Sequence, residues 1–498
     1  MIVTDSTPKT PPKSTTPLLG EASGAAPPPA YAPRVAAPPP VPIASYQGYQ
    51  PVAPSAYPQR PRQSAAKRFC KTLIVALGVW LLASALFGSF YSSRRLRDTQ
   101  LYSTEYPIPS DVELDEPECV PSWTDGPRSR RSSHPFSAYT NFKFDLPPET
   151  LLLLSKGALS AGNLDIATHD GDDVEVKVVV HYDQAFVRDT VKACLITRKD
   201  GEAGVGIFTP QWWRRPGNRG LVFEIQLSLP RNSKGEKLIN TLFTDVSNIS
   251  QRVVEGLQDV VRFNSLELTG SNGRISAASL VANTTLLRTS NGGVQIGHLM
   301  ATTAIVRSSN GGISGTYATK GPLELRTSNG AIDVSVAVTS DSSNKTPLTM
   351  VTSNGKLTAV VDLISPSAST PKDLTFPVTA RTSNGALSVT IKELPLDAKL
   401  DLQARTSNTP ATVGLPLTYE GSFSVKTSNS PSLVKRLGSS ERDPACPKNE
   451  DCKARSRQVE TRMIRKTAAE GVVYWDEKNK KRGVVTVTTS NSPLTLVL

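Results

Sequence analysis

Residues 287–299, "LRTSNGGVQIGHL", contain a tetrapeptide that this chain writes repeatedly. The pair Ser-Asn recurs with asparagine at Asn272, Asn291, Asn310, Asn329, Asn354, Asn384, Asn408, Asn429 and Asn491. The first three intervals are each 19 residues, and the next four are 25, 30, 24 and 21. A single Asn-Gly is an ordinary turn. Nine copies at near-regular spacing point to one structural unit used many times.

The unit "LELRTSNGAIDVSV" (323–336) shows what is repeated. Leu323, Leu325, Thr327 and Asn329 share one parity, and Glu324, Arg326 and Ser328 the other. Beyond Gly330, the apolar Ile332, Val334 and Val336 alternate with Asp333 and Ser335. Alternation of period two predicts a strand, a sharp corner and a second strand. Two all-β arrangements fit. In a β-solenoid each repeat is one rung, equivalent residues stack at about 4.8 Å, and inward corner asparagines form an amide ladder. In an antiparallel hairpin meander or sandwich each Asn-Gly closes its own turn, with Leu325 facing Val334 and Arg326 facing Asp333. The sameness of the corner favours the solenoid. A hairpin has no use for the preceding Thr-Ser, and "TSNTP" and "TSNSP" keep the asparagine while losing the glycine.

The chain has 498 residues, 39 prolines and a net charge of +12. Sixteen prolines precede Arg62, in runs such as "AAPPPAYAPRVAAPPPVP", which predicts a disordered or polyproline-like tail over 1–66. Residues 1–100 hold eleven Lys or Arg against three Asp or Glu, +8 of the +12, so the remainder carries only +4. The basic character thus belongs to the tail and its apolar neighbour, and nucleic acid is not an expected partner.

Residues 72–90 carry no charge, long enough to cross a hydrocarbon core of roughly 30 Å as one helix. A transmembrane helix is expected over 72–91. A cleaved signal peptide is a poor fit, because a long polar tail precedes the apolar run. Arg60, Arg62, Lys67, Arg68 and Lys71 lie before it, and Arg94, Arg95 and Arg97 after it. That asymmetry places the N-terminus in the cytosol and the C-terminal part outside, in the plasma membrane or another secretory-pathway membrane. The triplets beginning at Asn248, Asn283 and Asn344 are glycosylation acceptors, all after the span. Cys446 and Cys452 are placed for a small disulfide in an oxidising compartment, and Cys119 and Cys194 for a second. Cys70, at the cytosolic edge, is a palmitoylation candidate or an idle thiol. Pro28-Pro29-Ala30-Tyr31 has the form of a WW-domain ligand, in a tail where it also arises easily by chance.

Beyond the span, 92–134 reads as a polar stalk. From 135 to 265 short β-forming runs follow: "AYTNFKFDL", "LDIAT", "VEVKVVVHY", "ACLITR" and "LVFEIQLSLP". "NISQRVVEGLQDVVRF" (248–263) has apolar residues at helical spacing and predicts a helical interruption. The regular repeats occupy 266–438, a polar insertion loop 439–470, and a terminal rung 471–498.

The "RTSNG" repeats, entered through "GALSAGNLDIATHDGDDVEVKVVV", resemble the putative-adhesin β-solenoid domain of unknown function found widely in bacteria. The closing "GVVYWDEKNKKRGVVTVTTSNSPLTLVL" looks like the membrane-anchored fungal version. The resemblance covers roughly 136–498. It implies a β-solenoid and an adhesive role, and brings no catalytic residues with it.

The rival function is a polysaccharide-active β-helix enzyme, which needs paired carboxylates on one face. Between Glu267 and Glu324 there is no Asp or Glu, and His134, His169, His181 and His298 are scattered. No nucleophile motif, zinc pattern or phosphate loop occurs, so neither catalytic residues nor a cofactor are expected. The turn "HDGDD" (169–173) is a weak Ca²⁺ candidate beside the simpler reading of a solvated turn. Three residues before the corner asparagine stand Arg288, Arg307, Arg326, Arg381, Arg405 and Lys426, outward by parity. They form a candidate stripe for an anionic glycan or an acidic protein segment. Their simpler role is to keep a flat sheet soluble. The expected function is a non-enzymatic, single-pass membrane protein that presents an extracytosolic β-solenoid for adhesion, binding or scaffolding.

Overall fold

The computed structural model of the protein describes residues 102–498, apart from 116–118, 120–122, 129–132, 214–219, 232–236, 341–344, 367–373, 437–441 and 447–455. Of the chain's two units, Met1–Phe87 and Gly88–Leu498, the first lies outside the described residues. So do the tail 1–66, the apolar segment 72–91, the motif at Pro28, Pro29 and Tyr31, and Cys70. Among the described residues no helix is long and apolar enough to cross a membrane.

The described fold is all-β, with single helical turns at Ala185–Arg188, Leu257–Asp259 and Glu477–Asn479. Around each Ser-Asn corner one strand leads in and one leads out. Leu323–Arg326 leads in and Ile332–Thr339 leads out, and Leu323, Leu325, Ile332, Val334, Val336 and Val338 are buried. The two strands do not fold back on each other. Leu325 pairs in parallel with Val306 of the repeat before and Met350 of the repeat after. Val334 likewise pairs with Gly315 and Ala359. The Leu325–Val334 and Arg326–Asp333 pairs of a hairpin meander are therefore not formed. Each repeat's backbone groups are satisfied by the repeats on either side, which a self-closed turn would prevent.

Two parallel ladders result, one of inbound and one of outbound strands, with their apolar residues joined in one core. Ile275–Arg288 and Val294–Arg307 run through both, leaving one corner and leading into the next. The five runs expected within 135–265 are strands, and Thr150–Lys156, Glu202–Phe208 and Lys237–Val246 join them. Residues 151–154 read as an unbroken apolar run because both faces are covered. Leu151 and Leu153 belong to the main core, while Leu152 and Leu154 pack with Cys194 and Phe208 in a second cluster.

Three segments differ from what the sequence predicts. The helix expected over 248–263 is a strand, Asn248–Val253, a helical turn and a second strand, Val261–Thr269. Parallel pairing with Ala161–Asp170 on one side and Ile275–Arg288 on the other overrides its helical spacing. The stretch 92–134 is no free stalk in its described parts. Glu113–Leu114 pairs with Lys192–Lys199, Thr124–Asp125 with Phe136–Phe144, and Cys119 is disulfide-bonded to Cys194. Tyr106, Ile108 and Leu114 pack on the second cluster, and this apolar contact holds the segment down. The insertion 439–470 is not wholly loop, since Gln458–Arg465 and Ala468–Tyr474 form a hairpin against Gly421–Lys426.

The last repeat is not the last rung. Gly483–Thr488 lies between Lys399–Arg405 and Gly421–Lys426, and Leu494–Val497 between Ala411–Gly414 and Ser432–Lys435. The rung with corner Asn491 is thus inserted between those of Asn408 and Asn429. A disulfide scan should read this order directly. Cysteines at 403 and 486, on paired strands, should cross-link within one chain. Cysteines at 403 and 424, two strands and about 9.6 Å apart, should not. The reverse outcome would restore a sequential stack.

Candidate functional site

The corner explains why the chain spends four residues on it. In the rung of Asn329, the buried Thr327 hydroxyl accepts from Gly330 N (3.2 Å) and donates to the Gly311 carbonyl of the preceding rung (3.0 Å). Thr289, Ser308, Thr352 and Thr382 make the same pair of bonds. The backbones of Ser328 and Asn329 both donate to the Ser309 carbonyl, at 3.0 and 2.9 Å. The glycine is required for close approach, not for an unusual φ. A Cβ on Gly330 would lie 2.0 Å from the Gly311 carbonyl oxygen, and one on Gly311 1.8 Å from that of Gly292. Where glycine is missing, a hydroxyl takes over the contact: Thr409 bonds the Gly385 carbonyl, Ser492 that of Asn408, and Ser430 that of Asn491.

An asparagine ladder is present, but it faces outward. The chain bends between Thr and Asn, so parity does not carry through the corner: the hydroxyl residue is buried and the asparagine exposed. Asn291 Nδ2 donates to Asn272 Oδ1 (2.5 Å), Asn310 to Asn291 (2.5 Å), Asn329 to Asn310 (2.6 Å) and Asn354 to Asn329 (2.6 Å). The series continues through Asn384, Asn408 and Asn491 (each 2.7 Å) to Asn429 (2.8 Å). At its head Asn272 donates to Asn248. Ser247-Asn248 is therefore a tenth corner, 24 residues before Asn272, with Val246 and Ile249 where most corners carry a hydroxyl residue and a glycine, and its asparagine reads from sequence only as a glycosylation acceptor. Asn283, exposed, ends a second, shorter ladder through Asn264 to Asn240 (3.1 and 3.0 Å). Asn344 lies outside the described residues.

All six cations of the stripe are exposed, but they do not form one unbroken column. Arg288, Arg307 and Arg326 stand on paired positions of successive strands, and then Val351 intervenes. Arg381 and Arg405 are paired, and Thr488 separates Arg405 from Lys426. Sequence reasoning missed Glu324, two residues before Arg326 on the same face. Arg307 donates to both its carboxylate oxygens (3.0 Å each), and Arg326 Nε lies 3.2 Å from Oε1. The hydrogen bond from Arg307 holds the Glu324 carboxyl below its usual range. Repulsion within the Arg triplet is thereby relieved between its second and third members.

Two of the three carboxylates of the acidic turn at 169–173 are paired locally. Asp170 pairs with Arg231, and Asp173 with Lys143 (3.0 Å). Among the described residues no group of three or more His, Cys, Asp or Glu is placed to hold a metal ion. Cys446 is disulfide-bonded, and Cys452 lies outside the described residues.

A protein-family profile described as a domain of unknown function (DUF7330) matches residues 314–439. No curated protein matches the chain. Among solved structures, a putative cell adhesion protein from Clostridium sporogenes is 10% identical over 72% of this chain and 99% of its own, with a TM-score of 0.16. A putative adhesin from Parabacteroides distasonis is 12% identical over 56% of this chain and 97% of its own, with a TM-score of 0.26. A putative lipid binding protein from the same organism is 11% identical over 56% and 90%, with a TM-score of 0.23.

The corner chemistry sets an order of stabilities. Thr327→Val strands a buried N–H and a half-buried carbonyl, at about 1–3 kcal/mol. Asn310→Ala removes exposed amide bonds whose net worth is about 0.5–1.5 kcal/mol. Ser309→Ala should cost under about 0.5 kcal/mol. Thermal melts of the full-length protein check the ranking, and an asparagine variant worse than Thr327→Val would place the ladder inside after all.

Proposed function

We propose that the two parallel ladders are the faces of a β-solenoid. The segment 72–91 anchors it as a single span, and the fold is presented on the extracytosolic side as a non-enzymatic binding or adhesion module. The N-terminal tail then lies in the cytosol, where the motif at Pro28, Pro29 and Tyr31 is available to a WW-domain protein. The ligand is a repeating anion, such as a uronic or phosphorylated polysaccharide, lying along the Arg288–Arg307–Arg326 column.

The observation that carries this reading is the in-register Arg triplet, three exposed cations on adjoining strands with one carboxylate among them. Guanidinium groups about 4.8 Å apart along a rigid sheet match a polymer whose charges repeat on a similar scale. Glu324 is poorly suited to serve as the general acid of the rival polysaccharide-active enzyme. A general acid needs a raised pKa, whereas two guanidinium groups hold this carboxylate ionised.

The test uses the full-length protein in detergent. It should be retained on anionic polysaccharide matrices and released steeply by salt, because exposed charges are screened over about 10 Å at 0.1 M. The triple variant Arg288→Gln, Arg307→Gln, Arg326→Gln should lose that retention while melting normally. If the variant only aggregates more readily and retention is unchanged, the stripe is a solubilising face. Topology is tested separately. Protease added to sealed microsomes should trim the proline-rich tail and spare the repeats; loss of the repeats instead would reverse the orientation.

A further inference from the structure

A stack of parallel strands has two ends, and each end exposes unpaired backbone. At the N-terminal end the chain covers both ladders with short antiparallel strands, Glu113–Leu114 on one and Thr124–Asp125 on the other. The C-terminal end of the inbound ladder is different. Gly421–Lys426 is covered by Ala468–Tyr474, which is covered in turn by Gln458–Arg465. Among the described residues, Gln458–Arg465 has no strand on its other side. It is eight residues long and exposed almost throughout, with Met463 56% and Ile464 51% accessible.

We infer that this edge pairs antiparallel with the same strand of a second copy, joining two stacks end to end about a two-fold axis. The sequence "QVETRMIR" fixes both the partner and the register. Phe423, Gly471 and Thr461 lie opposite one another across the three strands, so Val459, Thr461 and Met463 continue the inner face. Glu460 and Arg462 continue the outer face. A two-fold pairing that keeps inner residues against inner residues must centre on a residue and not between two. Centred on Glu460 it sets two carboxylates face to face, and centred on Arg462 two guanidinium groups. Centred on Thr461 it sets Glu460 of each copy against Arg462 of the other, and Val459 against Met463. Both charge pairs are then attractive and the apolar pairs match.

The outer face adds to this. Arg462 already stands opposite Glu470 within the hairpin, so pairing extends an alternating row: Glu470, Arg462, then Glu460 of the second copy. Glu460 is braced for that place by Tyr474 (2.7 Å) and Lys480 (3.1 Å). The exposed Arg436 donates to the Val459 carbonyl (2.5 Å) and would have to give way to the incoming strand. An isologous contact of this kind closes on itself, so a dimer is expected and not a filament.

The full-length protein in detergent should be dimeric by light scattering, with dissociation on dilution. Thr461→Cys should give a disulfide-linked dimer on mild oxidation, in a yield well above that of the unaltered protein and of Glu477→Cys, an exposed site off the strand. Arg462→Glu turns two attractive pairs into two repulsive ones and should weaken dimerisation about tenfold or more. A melting curve for the same variant separates this from unfolding of the hairpin. A protein that stays monomeric at every concentration overturns the inference. So does a dimer that ignores Arg462→Glu, or a cysteine at 461 that cross-links no better than one at 477.

Discussion

In the rungs of Thr289, Ser308, Thr327, Thr352 and Thr382, a buried hydroxyl ties its own turn to the backbone of the rung before it. In the rung of Thr327 it accepts the Gly330 amide of its own turn and donates to the Gly311 carbonyl beneath. That double bond can form only if the rungs stack in register and the backbones approach closely enough to exclude a Cβ. Glycine, the outward turn of asparagine and the in-register cations all follow from it. The same bond, made by serine at Ser308, shows that the hydroxyl and not the methyl group is what the position requires.

Stacking of this kind is indifferent to the order in which rungs are added. One Thr-Ser-Asn corner fits on another whatever their separation along the chain. The Asn491 rung therefore sits between those of Asn408 and Asn429, although 62 residues separate the last two corners in sequence. Indifference also leaves open ends, and the two ends are treated differently. The N-terminal end is closed by antiparallel strands and the Cys119–Cys194 disulfide, while the C-terminal end carries a hairpin with a free outer strand.

The candidate site was partly legible. Outward cations could be read from alternation alone, because strand parity survives wherever the strand is straight. Which of them are neighbours could not. Val351 stands three residues before Asn354 and interrupts the column by its identity, while insertion of the Asn491 rung places Thr488 between Arg405 and Lys426. The outward side of Glu324 was legible but its role was not, because its partnership with Arg307 of the neighbouring strand exists only once the strands are paired. The inward asparagine was misjudged for a related reason: alternation does not extend through a bend.

By itself the sequence determined the unit, a strand, a Ser-Asn corner and a strand, and the all-β class that follows from repeating it. It also determined which residues of each straight segment face the core, since a period of two leaves no other choice. Only the tertiary structure decided how units meet: parallel and not folded back, with the last inserted before its predecessor. It also decided that Asn248 heads a ladder and that 248–253 is strand where helical spacing suggested otherwise. Those outcomes depend on backbone groups finding partners in other rungs, and such partners at the corners lie from 18 to 84 residues away, beyond the reach of any local pattern.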